Sequence, residues 1–224
     1  MNPVQLVSGT AGMHPTGTGS FAYGSSFLIL VDNLAFEKVV GIWGRDAGTF
    51  NWSFDPGHFE QSVPGNGEFW RVSTPRKIDQ FVVRYDVSGV SLFDNNFGNN
   101  YLLDVAAAEG TDGVGTAVIV PNVLSEGGFI DGSGQIVVGV AVKNLAFTKQ
   151  VGVVYTSNNW ATAQVGFGIF QKEYQPSPLP AQAQVESWEV HAPVSASPAQ
   201  FAVFYTVNGT TFWDNNFGRN FKAV

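Results

Sequence analysis

The chain has 224 residues, a formal net charge of −7, 13% charged residues and no cysteine. Such an acidic chain lacks the basic footprint that nucleic acid demands, and without cysteine it has neither a disulfide framework nor a thiolate metal site. No apolar run of about 18 residues occurs, so no membrane-spanning helix is expected, and the sparsely charged surface suits a neutral hydroxylated ligand.

The opening Met1-Asn2-Pro3-Val4-Gln5 lacks the basic and apolar regions of a secretory signal, so a cytoplasmic location is expected. Val4–Val7 reads as a first strand and Gly9–Gly19 as loop. Phe27–Val31 and Val39–Trp43 are β-rich runs on either side of the turn Asn33-Leu34-Ala35-Phe36. Gly44–Gly67 is mostly loop by its Gly and Pro content, and Phe69–Val72 is a short strand. Phe81, Val83, Tyr85 and Val87 then alternate with Arg84 and Asp86, the period of two of a half-buried strand. Ser88-Gly89 turns that strand into Val90–Phe93. Residues 105–116 are small and Gly-rich and read as a linker, with room for a brief helical turn at Val105–Glu109.

The plan then starts again. Ile136–Val142 and Val151–Tyr155 flank a second turn, Asn144-Leu145-Ala146-Phe147, and Val165–Phe170 follows. Gln175–Pro180 carries three prolines and is a loop; Val185–Val190 is a strand with Trp188 in the place of Trp70. Phe201–Val207 alternates like its twin, and Asn208-Gly209 is a two-residue hairpin turn. The strongest repeat closes each half: Phe93-Asp94-Asn95-Asn96-Phe97-Gly98-Asn99-Asn100-Tyr101 and Trp213-Asp214-Asn215-Asn216-Phe217-Gly218-Arg219-Asn220-Phe221. The turns lie 111 positions apart (33 to 144) and the closing strings 120 (94 to 214), so the second copy carries nine more residues. A period this long means whole domains. We therefore expect domains at 1–108 and 117–224, each large enough for its own core. Short strands without a long 3.6 period make the fold all-β, two consecutive antiparallel β-sandwiches.

The sequence offers little for catalysis. His14, His58 and His191 have no counterparts between repeats, and no metal-ligand, phosphate-loop or nucleophile motif occurs. The repeated acid, Asp94 or Asp214, is one per domain, whereas glycoside cleavage uses two carboxylates. No cofactor and no metal are expected. Binding is the better-supported class. Sugars present apolar C–H faces to flat aromatics and hydroxyls to groups that both donate and accept, and Asn does this without the desolvation cost of a charge. The Asp-Asn-Asn-x-Gly string reads equally well as a turn, because Asn and Gly tolerate left-handed backbone. Trp70 and Trp188 read as core; Trp52 and Trp160, each after an Asn among polar neighbours, read as contact residues.

The ordered set Asn-Leu-Ala-Phe-x-Lys, Asn-Trp, Phe-x-Val-x-Tyr and [Trp/Phe]-Asp-Asn-Asn-x-Gly-x-Asn-[Phe/Tyr] resembles the family 21 carbohydrate-binding modules over roughly 27–104 and 135–222. These are starch-binding domains of amylolytic enzymes and glycogen-targeting domains of phosphatase regulatory subunits. The resemblance implies immunoglobulin-like sandwiches that bind α-glucans without catalysis. It places ligand aromatics at Trp160, Trp213 and, for a second site, Phe147; the matching positions in the first repeat are Trp52, Phe93 and Phe36. Asp214, Asn215, Asn216 and Asn220, with Asp94, Asn95 and Asn96, would supply polar contacts. A further family aromatic is replaced by Ala202 and by Val82; Phe204, on the same outward face, is placed either to substitute for it or, equally, to pack against the other domain. The second repeat is expected to be the better binder.

The implied partners are starch, glycogen or maltooligosaccharide, with a glucan-active enzyme or a phosphatase acting in trans. Arg71-Val72-Ser73-Thr74 lacks the final aromatic of the phosphatase-docking pattern. Two alternatives stand beside this reading. One is a structural or protein-interaction sandwich that has lost sugar binding, favoured by Ala202 and Val82. The other is a fragment of a glucan-active enzyme, which the Met1 start and full second repeat oppose.

Overall fold

The computed structural model describes residues 2–15, 21–105, 115–174 and 183–224. The chain divides into two compact units, Met1–Val120 with Tyr174–Gln184, and Pro121–Glu173 with Val185–Val224. Both are all-β and antiparallel.

The first unit contains β1 (Val4–Pro15), β2 (Phe21–Asp32), β3 (Lys38–Asp46), β4 (Trp52–Pro56), β5 (His58–Val63), β6 (Gly67–Thr74), β7 (Ile78–Val87), β8 (Val90–Asp94), β9 (Tyr101–Leu102) and β10 (Thr116–Ile119). One sheet runs β10-β1-β2-β6-β5; the other runs β4-β3-β7-β8, with β9 on the far part of β7. Alternation on β7 buries Phe81, Val83, Tyr85 and Val87, as its sequence period requires, while Ile78 at the strand's start is buried out of that phase. They meet Phe27, Ile29 and Val31 of β2 and Leu6 of β1 in one core.

The second unit contains β11 (Val123–Ile130), β12 (Gln135–Lys143), β13 (Lys149–Thr156), β14 (Gln164–Glu173), β15 (Val185–Pro193), β16 (Ala199–Val207), β17 (Thr210–Asp214) and β18 (Phe221–Ala223). The order is β11-β12-β15-β14-β13-β16-β17, with β18 on β16. β14 belongs to both layers: residues 164–167 pair with β13, and residues 168–173 with β15. In the first unit that strand is split at Gly57 into β4 and β5, which pair with β3 and β6.

Three expectations change. Residues 9–15 are strand, because their small residues let β1 lie between β2 and β10. The stretch 44–67 holds two strands, β4 and β5, which Pro56 and Gly57 only bend. Trp52 therefore stands in a strand, opposite Arg45. The linker expected over residues 105–116 ends in β10, with 106–114 outside the described residues; the whole 175–180 loop and residues 16–19 of the loop expected over 9–19 lie outside them too.

The Asn-Leu-Ala-Phe turns share a buried clamp. Lys38 Nζ lies 2.8 Å from Glu68 Oε2 and also donates to Asn33 Oδ1, while Trp70 Nε1 donates to the same carboxylate. In the second unit Lys149, Glu186, Asn144 and Trp188 repeat every bond. A tyrosine hydroxyl completes each turn: Tyr85 Oη donates to Asp32 O and accepts from Leu34 N, and Tyr205 Oη does the same with Lys143 O and Leu145 N. Side chains of Lys149 and Glu186 are 4% and 5% exposed, so both charges are desolvated and depend on each other.

Glu186→Gln, which leaves Lys149 buried without its anion, should therefore destabilise the second unit by about 3–5 kcal/mol. Glu60→Gln, which breaks the half-exposed Arg71–Glu60 pair, should cost at most about 1 kcal/mol. Urea unfolding of both variants checks the contrast. Equal costs would mean that the clamp is no more than a surface ion pair.

Candidate functional site

Each clamp holds one aromatic ring out in solvent. Phe36 is 98% exposed and Phe147 is 99% exposed at the tips of their turns. Beneath them Ala35 and Ala146 pack on the respective cores. A rigid turn carrying a bare ring exposes apolar surface that folding alone does not require.

The closing strings are self-braced loops. Asp94 Oδ2 accepts from Leu6 N (2.7 Å) and from Tyr101 Oη (2.9 Å), and Oδ1 accepts from Asn96 N. Asn95 Oδ1 accepts from Gly98 N, and Asn96 Nδ2 donates to Asn100 O. The second copy repeats the pattern: Asp214 accepts from Ser125 N (2.8 Å) and Asn216 N, Asn215 from Gly218 N, and Asn216 donates to Asn220 O. Side-chain groups of Asp94, Asn95, Asn96, Asp214, Asn215 and Asn216 thus shape the loop, the turn role that the sequence allowed equally, while Asn220 takes part through its backbone carbonyl.

That shape forces unusual backbone. Asn96, Phe97 and Gly98 have φ of 51°, 56° and 89°, and Asn216, Phe217 and Gly218 have 51°, 57° and 84°. Asn and Gly accept the left-handed region, but a bulky aromatic there costs about 1–2 kcal/mol. Phe97 is nonetheless fully exposed, and Phe217 half exposed. Sequence reasoning missed both, treating this position as a variable one inside a polar string.

Phe93 and Trp213 stand outward on β8 and β17, both about half exposed. Trp160 follows Asn159 in a left-handed turn, φ 54° and 66°, and its Nε1 donates to Gln200 Oε1 at 3.0 Å. Gln200 in turn donates to Asn159 Oδ1. Trp160 therefore sits at the Gln200 end of β16, whereas Trp213 lies opposite Phe204. Four residues of strand separate the two, about 13 Å, and Ala202 between them presents only a methyl group. Phe204 packs against Trp213 at 5.8 Å and is 8% exposed, so it is a floor more than a free face.

The first unit differs at each of these points. Trp52 is half-buried in β4, and the bare ring of its preceding turn is Phe50. Arg84 occupies the place of Phe204, and its guanidinium lies over Trp43 and Phe54 at 5.7 and 5.5 Å while Nε donates to Asp86. Among the described residues no group of three or more His, Cys, Asp or Glu side chains is placed to hold a metal ion. No helix among them is long and apolar enough to cross a membrane.

Residues 120–224 match the family model of the carbohydrate/starch-binding module (family 21). One family 21 module is found there. Over 83 residues the chain is 31% identical to protein phosphatase 1 regulatory subunit 3E of Rattus norvegicus, covering 37% of the chain and 29% of the relative. Over 86 residues it is 34% identical to regulatory subunit 3B of Danio rerio, covering 38% and 29%. The chain thus spans under a third of the curated relatives it matches. Among solved structures, the starch-binding domain of Rhizopus oryzae glucoamylase, in complex with β-cyclodextrin and maltoheptaose, has 29% identity and a TM-score of 0.38. The match covers 46% of this chain and 94% of that one.

Within the module, Asp214 has one partner fewer than Asp94, because Phe221 stands where Tyr101 donates its hydroxyl. The two rings stack alike, Phe81 on Tyr101 at 5.3 Å and Phe201 on Phe221 at 5.2 Å. Burial raises the Asp214 carboxyl above its usual range, against the pull of the Ser125 and Asn216 N–H groups. Its contribution to stability is therefore greatest at acid pH and lost as pH rises through the folded value. Phe221→Tyr should supply the missing donor, lower that value and stabilise the module by about 1 kcal/mol at pH 7. The gain should shrink as pH falls and the carboxyl protonates. Thermal unfolding against pH checks it; a gain that persists at low pH would assign it to something other than this bond.

Proposed function

We propose that the chain is a non-catalytic α-glucan binder, taking starch, glycogen or maltooligosaccharide through exposed aromatics on two immunoglobulin-like modules, one in each unit. The observation that carries this reading is the pair Phe36 and Phe147, nearly fully exposed on turns fixed by the same buried clamp. Rigid, bare, equivalent rings are what a sugar C–H face needs, since stacking on a preset ring loses little conformational entropy. Trp160 and Trp213 supply further rings in the module at 120–224. Phe93, with the half-buried Trp52, supplies the counterpart in the first unit. The Asp-Asn-Asn strings act mainly as braces that hold Trp213, Phe217, Phe93 and Phe97 outward, with Asn220 in the left-handed backbone of the second brace.

The first unit is the weaker module in this reading. Its Trp52 lies in a strand, and Arg84 with Asp86 puts a charge pair where the second unit has Phe204. A glucan-active enzyme or a phosphatase in trans remains the proposed protein partner. Arg71-Val72-Ser73-Thr74 does not serve as its docking segment, because Val72 is buried in β6.

Trp213→Ala and Trp160→Ala should each weaken β-cyclodextrin binding severalfold, the low end of the roughly 1–3 kcal/mol that a stacked aromatic supplies to a nucleobase. Phe93→Ala and Trp52→Ala should weaken it less. Isothermal titration, with circular dichroism to confirm folding, decides between them. Larger losses in the first unit would reverse the ranking of the two sites.

A further inference from the structure

Strand register in the second unit lines up Phe167 of β14, Gly152 of β13, Phe204 of β16 and Trp213 of β17 in one row across four strands. All four lie on the outward face, since Val153 and Val203 between their rows are buried in the core. Gly152 is what admits the floor of the row: a Cβ there would meet Phe204 Cζ at 2.7 Å and Gly166 O at 2.4 Å. Phe204 fills that space and becomes buried. Phe167 stands edge-on to it at 6.2 Å and 88°, and Trp213 leans on its other side at 5.8 Å and 54°. The two flanking rings stay 60% and 54% exposed.

The neighbouring row has the complementary chemistry. Gln150, Thr206 and Thr211 stand opposite one another, and the two threonine hydroxyls share a 2.9 Å hydrogen bond. An apolar row beside a row of neutral donors and acceptors, with no charge in either, fits a chain of neutral hydroxylated rings better than a charged peptide or anion. Toward Trp160 the next row of the face offers Val165, Val154 and Ala202, none of them aromatic.

We propose that Phe167 is a second stacking residue for α-glucan, so that the sugar chain runs across the strands from Trp213 toward Phe167, with Phe204 as the positioning residue that sets the two rings apart. This rests on the glucan-binding reading above. Phe167 and Trp213 flank Phe204 at 6.2 and 5.8 Å, which sets their rings at most about 12 Å apart, so a long oligosaccharide reaches both rings and a disaccharide engages chiefly one.

The test is titration of the full chain and its Phe167→Ser, Phe167→Tyr and Trp213→Ala variants with maltoheptaose and with maltose. Phe167→Ser should weaken maltoheptaose about fivefold, the low end for loss of one stacked ring, and maltose much less; Phe167→Tyr should restore wild-type affinity. Trp213→Ala should weaken both sugars. If Phe167→Ser leaves maltoheptaose unchanged, or weakens both sugars equally, while Trp213→Ala still weakens them, the row proposal is overturned and the glucan reading stands. If the unaltered chain binds neither sugar, the underlying reading falls and this proposal with it.

Discussion

A lysine and a glutamate paired away from solvent hold each unit's turn in place. Burying a charged pair costs several kcal/mol per ion unless every remaining donor and acceptor is matched. Here the asparagine that opens the turn takes a second Lys proton, and the tryptophan of the facing strand gives its indole N–H to the carboxylate. The tyrosine hydroxyl that bridges the turn's backbone comes from β7 or β16, so three strands converge on five residues. With so many bonds fixed, the phenylalanine at the tip has no core to fold back into. The same constraint that stabilises the turn exposes the ring.

The second brace works by a different device. An Asp between the last long strand and its loop reaches across to a backbone N–H of β1 or β11, and amides tie the loop to itself. It imposes left-handed backbone on a phenylalanine in both units, and in the first unit packing does not offset that cost, because Phe97 is fully exposed. Strain and exposed apolar surface at one position are what a binding loop accumulates. The two units then diverge on their outward sheet faces. Both units keep a glycine beneath an aromatic ring there, but the second places Phe204 between Phe167 and Trp213, whereas the first lays Arg84 over Trp43 and Phe54.

Much of this was legible in the residues. Alternation sets the buried faces of β7 and β16, and the two landmark strings mark both braces in the sequence itself. What the strings could not say was where their polar groups point. Asp-Asn-Asn is both a sugar-binding composition and a turn, and the choice depends on whether a neighbouring strand brings an N–H within reach of the acid. That is a tertiary fact, set by Leu6 and Ser125. Residues 9–15 and the stretch 52–63 were misread as loop for a local reason: their Gly, Pro and small residues weaken β-propensity, while sheet partners override it. Phe167 was hidden similarly. Its exposure follows from β14 crossing between the layers, and its importance from a register that only the paired strands define.

The proposed function is that the exposed rings of each unit bind α-glucan, through stereochemistry as well as hydrophobicity. Isothermal titration of the full chain with maltoheptaose, and separately with a β-linked glucose oligomer of similar length, tests it directly. The account predicts saturable heat for the α-linked sugar, fitted by two sites of unequal strength per chain, and none for the β-linked one. Equal heats from both sugars, or no heat from either at millimolar concentration, would contradict it.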